Sequence, residues 1–336
     1  VRIATYNVEW FNALFDDAGH LLDDGGWSAR WGITRTTQIA ALGAVFRALN
    51  ADAVMVIEAP DTSRGRDGTR ALESFAQIFG LRARKALIGF ANDTQQEIAL
   101  LYDPDVMTAL HDPGGHAIGE RGARDDPRFD GVFHIDLDVD AAPESVIWSK
   151  PPLEVLAEAY GQTFRMIGVH AKSKAPNGAT SEKDAMRISI ENRRKQLAQC
   201  IWLRHRVQGH LDRGAPLIVL GDFNDGPGLD VYERLFGRSG VEIVRGEGAL
   251  AQLFDPHIGA GDAPTTARFW QRHEDRWLEA LLDYIMVSPD LAARVPVWRI
   301  WHPLRDAALR GDPALCQALL DASDHFPVTL DIDLGP

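Results

Sequence analysis

Three acids in this chain stand where a β-strand needs none. Glu58 closes the apolar run AVMVI, Asp222 follows LIVLG, and Asp324 precedes His325 just ahead of FPVTL. Asn7 ends the strand-like VRIATYN, and His170 ends TFRMIGVH. Oxygen donors of this kind suit a hard divalent cation such as Mg²⁺ or Mn²⁺, which takes one or two carboxylates and completes its shell with water and phosphate oxygens. Taken singly, a strand-end acid caps a helix or pairs with an arginine about as often as it binds a metal. The recurrence of one design, an apolar strand delivering a polar residue at its end, points instead to a site built on a common rim.

The segment LIVLGDFND is the most specific of these signals. Gly221 is expected to turn the backbone sharply, Asp222 to present a carboxylate, and Asn224 to offer an amide on the same side. The bland alternative is an Asx-turn opening a loop.

The elements that must carry these residues follow from periodicity. Strands are expected at 1–8, 52–60, 97–102, 131–139, 163–170, 216–220, 281–287 and 327–332, from alternation or short buried apolar runs. Ile39, Leu42, Val45, Phe46 and Leu49 recur at helical spacing between the caps Thr34 and Asn50. Leu72, Phe75, Ala76 and Phe79 make a short helix stopped by Gly80, and a long helix opens at Ser181. Residues 12–33 and 112–131 read as loops, and no linker or internal repeat divides the 336 residues, so one domain is expected.

Composition narrows the function. With 45% hydrophobic and 25% charged residues the chain has ample material for a large core. A net charge of −13 repels polyanions and argues against a tight sequence-specific nucleic-acid binder, though not against an enzyme whose acids bind cations. Cys200 and Cys316 lie in no zinc-type spacing. No run of about 20 apolar residues offers a membrane span, and no secretory signal is legible. Cytoplasmic and secreted locations both stay open.

The series ATYNVEW, VIEAP, IGVHAKSK, VLGDFND, LDYIMVS and SDHFP, in that order, resembles the motif set of the endonuclease/exonuclease/phosphatase superfamily. The resemblance runs from Asn7 to His325. It implies an α/β fold, a four-layer sandwich of two mainly antiparallel sheets packed face to face and flanked by helices, and a metal-dependent phosphoesterase activity. Position by position, it makes Glu58 the principal metal ligand, Asn7 a residue beside metal and phosphate, and Asp324 a further acid at the metal. Glu9 stands where some members have a second metal-ligating acid. His325 becomes the catalytic histidine, Asp283 the acid that orients it, Asp222 the water-activating acid and Asn224 its phosphate-binding partner. His170 matches a histidine that stabilises the scissile phosphate or leaving group as a second cationic donor, with Glu97 as the acid expected to hold it. Abasic-site endonucleases lack a histidine there.

The implied substrate is a phosphate ester, with DNA or RNA the leading class and a lipid headgroup or sugar phosphate the alternative; a catalytically inactive binding module is a third reading. No protein partner is expected. Lys172 and Lys174 read as a solvated loop, and Arg193, Arg194 and Lys195 as an exposed helix face. Trp10, Phe11, Trp27 and Trp31 are expected either to stack on substrate or to pack the 12–33 loop down.

Overall fold

The computed structural model describes residues 1–135, 143–176, 178–226, 237–248, 251–260, 265–271 and 275–335. Its strands are, in chain order, β1 (Arg2–Asn7), β2 (Ala53–Ala59), β3 (Lys85–Ile88), β4 (Glu97–Tyr102) and β5 (Met107–His111). A small hairpin, β6 (Phe133–Ile135) and β7 (Glu144–Val146), precedes β8 (Leu153–Ala159), β9 (Gln162–His170) and β10 (Leu217–Asp222). A second hairpin, β11 (Ala267–Gln271) and β12 (Arg276–Ala280), precedes β13 (Asp283–Val287), β14 (Val297–Ile300) and β15 (Val328–Asp331).

Two sheets form, in the orders β14-β15-β1-β2-β4-β3 and β13-β10-β9-β8-β5. Each is antiparallel except for one central pair, β1 with β2 in the first and β9 with β10 in the second. Those exceptions position the site. Two parallel neighbours end at the same rim, so β1 and β2 deliver Asn7 and Glu58 side by side, and β9 and β10 deliver His170 and Asp222 as register partners. Antiparallel β13 then begins at that rim, pairing Asp283 with Asp222.

Alternation along the first sheet sorts its side chains into two cores. Ile3, Met55, Ile57, Ile98 and Leu100 face the cluster shared with the second sheet. Ala4, Tyr6, Val54, Val56 and Leu101 face the helices α1 (Arg35–Leu49) and α2 (Gly68–Phe79). Thr34 caps α1 by accepting from the Thr37 N–H, and Asn50 closes it in the left-handed region, as its sequence implies. Gly80 closes α2 in the same way. Helix α3 (Glu182–Asp212), capped by Ser181, contributes Trp202, Leu203 and Val207 to the inter-sheet cluster. Short α4 (Gly240–Arg245) and α5 (Pro289–Ala292) follow, and α6 (Pro313–Ala322) joins α1 with Leu319. This is the α/β arrangement that the resemblance implies. Among the described residues, no helix is long and apolar enough to cross a membrane.

Three expectations change. The strand at 131–139 forms over Phe133–Ile135, and residues 136–139 lie outside those described. Gly221 makes no sharp turn; it stays in β10, where a Cβ would lie 2.1 Å from the Val169 carbonyl oxygen, so glycine is required by close approach. Arg193 is buried and donates to the Ser189 carbonyl, so it leaves the exposed face expected of that run, whereas Lys195 is exposed and half-exposed Arg194 pairs with Glu144.

Candidate active site

Asp222 is the hub. Its buried carboxylate accepts the Asn224 backbone N–H at 2.7 Å, the Asn7 amide at 3.0 Å and the Asn224 amide at 3.2 Å. Asn224 also donates to the Ala171 carbonyl, so its amide nitrogen is committed to aiming Asp222 rather than left open to a phosphate. Burial pushes the Asp222 carboxyl up to about 6, while His325 and these donors pull the other way.

His325 is clamped between acids. Its Nδ1 lies 2.8 Å from Asp283 Oδ2, and its Nε2 lies 3.9 Å from Asp222 Oδ2. Burial by itself would lower its pKa, but Asp283, Asp222 and Asp324 together hold the imidazolium well above the usual histidine value. Ser323 fixes the backbone here, donating to the Asn7 carbonyl at 2.8 Å and accepting the His325 N–H at 3.0 Å. Thr266 accepts the Asp283 N–H, and Phe269 packs edge-on against the His325 ring at 5.5 Å.

The remaining acids gather on the Asn7 side. Glu58 sits at a bulge in β2 with φ +61°, and its Oε2 accepts the Trp10 N–H at 2.9 Å. Glu9, Trp10 and Asn224 also have left-handed backbones, at φ +47°, +61° and +50°. Four such non-glycine residues at one rim is the strain expected where side chains must be aimed rather than merely packed. Glu9 accepts from Arg30 and from the Asp324 N–H. Burial, then the neighbouring Asp324 carboxylate, raises Glu9 to about 7 despite Arg30. Asp324 is raised by its own burial, against the pull of His325 and Arg30. Two carboxyls forced together in this way fit a divalent cation, which would relieve the repulsion.

A tighter donor set exists beside it. Asp222, Asp283 and His325 present one atom each within 4.8 Å of one another. Of these, His325 Nδ1 is spent on Asp283 Oδ2, while His325 Nε2 stands 3.9 Å from Asp222 and buried Asp283 Oδ1 has no partner among the described residues. The set that the resemblance implies for the metal, Glu58, Asp324, Glu9 and Asn7, lies beside it and is looser: its three acids do not bring one atom each within 4.8 Å of one another, and Glu9 already accepts from Arg30 and the Asp324 N–H.

His170 and Glu97 depart from expectation. His170 Nε2 lies 3.7 Å from Asp222 Oδ2 and 4.0 Å from Glu58 Oε1, so it does reach the site. Its hydrogen-bond partner is Lys150 Nζ at 3.3 Å, and its buried Nδ1 has none. Burial, then the charges of Lys150 and His325, hold the His170 pKa well below the usual value, so it enters as neutral imidazole and not as a second cation. Glu97 does not orient it. The Glu97 carboxylate, pushed up to about 7 by burial, accepts the Asn92 N–H at 3.2 Å and the Asn92 amide at 2.7 Å.

Several contributors escape a reading of the sequence. Lys150, Arg30 and Thr266 carry no motif, Ser323 lies within SDHFP without an expected role, and the β11–β12 hairpin over His325 lies in a stretch where no strand is expected. The aromatics of ARFWQ and RWLEA were its signal. Phe11 is buried, whereas Trp10, Trp27 and Trp31 are 42%, 72% and 82% exposed, so these three do not pack the loop down. Lys174 is not solvated but pairs with buried Asp225.

Comparison with known proteins bears on the fold and the family. A search of curated protein sequences returns no match. Among solved structures, an endonuclease/exonuclease/phosphatase family protein from Bacteroides thetaiotaomicron is 17% identical with a TM-score of 0.52, over 99% of this chain and 95% of that one. A mannosyl-6-phosphatase from the same organism is 15% identical with a TM-score of 0.51, over 99% and 100%. TDP2 from C. elegans is 14% identical with a TM-score of 0.52, over 99% and 74%. At such identities these likenesses establish the fold alone. The model of the Endonuclease/Exonuclease/phosphatase family matches residues 4–325, and the chain belongs to that family.

Proposed function

We propose that this chain is a Mg²⁺- or Mn²⁺-dependent hydrolase of phosphodiesters. The observation that carries the proposal is the convergence of the Asp283–His325 pair and Asp222 beside the Glu58, Asn7, Asp324 and Glu9 oxygens. When bound among those oxygens, the metal neutralises phosphoryl charge and steadies the leaving oxygen. The chain's own residues do the rest. Asp222, held by Asn7 and Asn224, accepts a proton from water and aims it in line with the phosphorus. The His325 imidazolium, fixed by Asp283, donates from Nε2 to a phosphoryl oxygen as charge builds there. Every acid and histidine of the motif set is present, which argues against an inactive binding module.

Single-stranded nucleic acid is the substrate class supported by the exposed aromatics. Trp10 neighbours Glu58 through its backbone, and the hairpin that packs on His325 exposes Trp270 and Trp277. The net charge of −13 favours a second reading, a sugar phosphate or lipid headgroup. The test is hydrolysis with Mg²⁺ of supercoiled DNA, an oligonucleotide, bis-(p-nitrophenyl) phosphate, sphingomyelin and inositol phosphates. No turnover on any phosphate ester, with metal present, overturns the proposal.

A further inference from the structure

Lys150 lies on the segment between β7 and β8, and that segment is held from both sides. The Ile147 carbonyl accepts the Gln199 amide of α3 at 3.1 Å, and buried Trp148 packs edge-on against Phe129 at 6.0 Å. Pro151 and Pro152 follow directly, restricting the Lys150 backbone to extended conformations. A lysine in so fixed a frame has been placed.

What it faces is unusual. Lys150 Nζ lies 3.3 Å from His170 Nε2, and among the described residues no carboxylate comes within the 4.0 Å of an ion pair. Burial lowers its pKa below the ordinary lysine value, and the negative charges of Glu58 and Asp222 oppose that shift and favour the ammonium. A hydrogen bond between an amine and an imidazole needs one neutral partner, and the ring that accepts it is not itself cationic. Of the other cations near this rim, Arg30 is committed to Glu9 and the Leu320 carbonyl, Lys174 to Asp225, and His325 to Asp283 through Nδ1, while the charge of Lys172 also reaches Lys150. The ammonium has three N–H groups, and His170 accounts for one of them.

We infer that Lys150 binds a non-bridging oxygen of the substrate phosphate, opposite His325, with His170 Nε2 as the acceptor that aims it. The inference rests on the phosphoesterase reading and adds a substrate contact that no motif supplies. A fixed cation facing developing phosphoryl charge stabilises the transition state more than the ground state.

The test uses K150M, which keeps the stem without the charge, and K150R, which keeps the charge. With bis-(p-nitrophenyl) phosphate, K150M is expected to lose ~10²-fold in kcat, the worth of one such donor, with a smaller change in KM. K150R is expected to recover most of that loss, which a merely structural lysine would not require. Inorganic phosphate should inhibit the K150M enzyme about 10-fold more weakly, while the Mg²⁺ concentration for half-maximal activity is unchanged. K150M turning over like the parent, with undiminished phosphate inhibition, overturns the inference. So does a K150R enzyme as impaired as K150M. If K150M fails to fold, K150R and K150Q carry the comparison. Should the parent hydrolyse no ester, the phosphoesterase reading fails by itself. In that case phosphate-induced stabilisation of the parent, lost in K150M, still supports the Lys150 contact, and equal stabilisation of both proteins overturns it.

Discussion

His325 Nδ1 and Asp283 Oδ2 lie 2.8 Å apart, with the far nitrogen of the same ring 3.9 Å from Asp222. Asp283 therefore fixes both the tautomer and the charge of His325. Asp283→Asn is expected to lower kcat by ~10²-fold, the scale of a positioned acid–base group. It should also move the alkaline limb of the kcat profile to lower pH. The raised histidine pKa rests partly on Asp283, and the imidazolium is the donor. An alkaline limb that stays in place would show that His325 is not the group being titrated.

Glu9 leads to a prediction about metal and pH. Its folded pKa, about 7, stands above its ordinary 4.5, so the proton-linked stability it contributes is lost as pH rises through about 7. Mg²⁺ competes with that proton. The Mg²⁺-induced rise in Tm should therefore be larger at pH 8 than at pH 6. Groups away from the site cancel in this difference, because each is present with and without metal. An equal rise at both pH values would remove Glu9 from the metal site.

Arg30 holds Glu9 in place and also donates to the Leu320 carbonyl at 2.7 Å. Arg30→Gln leaves every proposed ligand intact but unfastens one. The metal concentration for half-maximal activity should rise ~10-fold, as for other residues that orient ligands, with little change in kcat at saturating metal. Glu58→Gln, which removes a proposed ligand, should raise it further.

Much of the site was legible because strand ends are legible. An apolar run that stops on Asn7, Glu58, His170 or Asp222 needs only local sequence to be noticed. What joins those ends was not. Whether neighbouring strands run parallel is set by long-range pairing, and it is the parallel β1–β2 and β9–β10 pairs that put four residues on one rim. Lys150 and Arg30 were hidden for a related reason. Each reaches the site from a loop, where no periodicity marks a residue as facing inward. Glu97 shows the opposite error. Its strand was read correctly, but Asn92, five residues earlier on the preceding loop, takes the carboxylate that a resemblance assigned to His170.

Gly221 tests the link between fold and site. A Cβ there would meet the Val169 carbonyl oxygen at 2.1 Å and the Val169 nitrogen at 2.8 Å, both backbone atoms that cannot swing away. Gly221→Ala should cost about 3 kcal/mol, at the severe end of single substitutions, read as a lower denaturation midpoint. Activity should fall as well, since Asp222 and His170 hang on the same strand pair. A stable, active Gly221→Ala protein would contradict the packing of β9 on β10.

The proposed nucleic-acid reading can be tested at the aromatic rim. Trp10 and Trp277 are 42% and 50% exposed, and they belong to segments that touch Glu58 and His325 respectively. Arg268 lies 3.9 Å over the Trp277 ring and Trp270 packs edge-on to it at 5.3 Å, contacts that steady an indole still half exposed. A nucleobase stacked on such a ring contributes ~1–3 kcal/mol, so Trp10→Ala and Trp277→Ala should each raise KM for an oligonucleotide about 10-fold. Bis-(p-nitrophenyl) phosphate has no flanking nucleotides to stack, and its KM should change much less. The contrast between the two substrates removes any general damage to the site from the comparison. If both substrates respond equally, the tryptophans support the fold of the rim and the small phosphate-ester reading gains. If only the oligonucleotide responds, the enzyme recognises bases beside the phosphate that it cleaves.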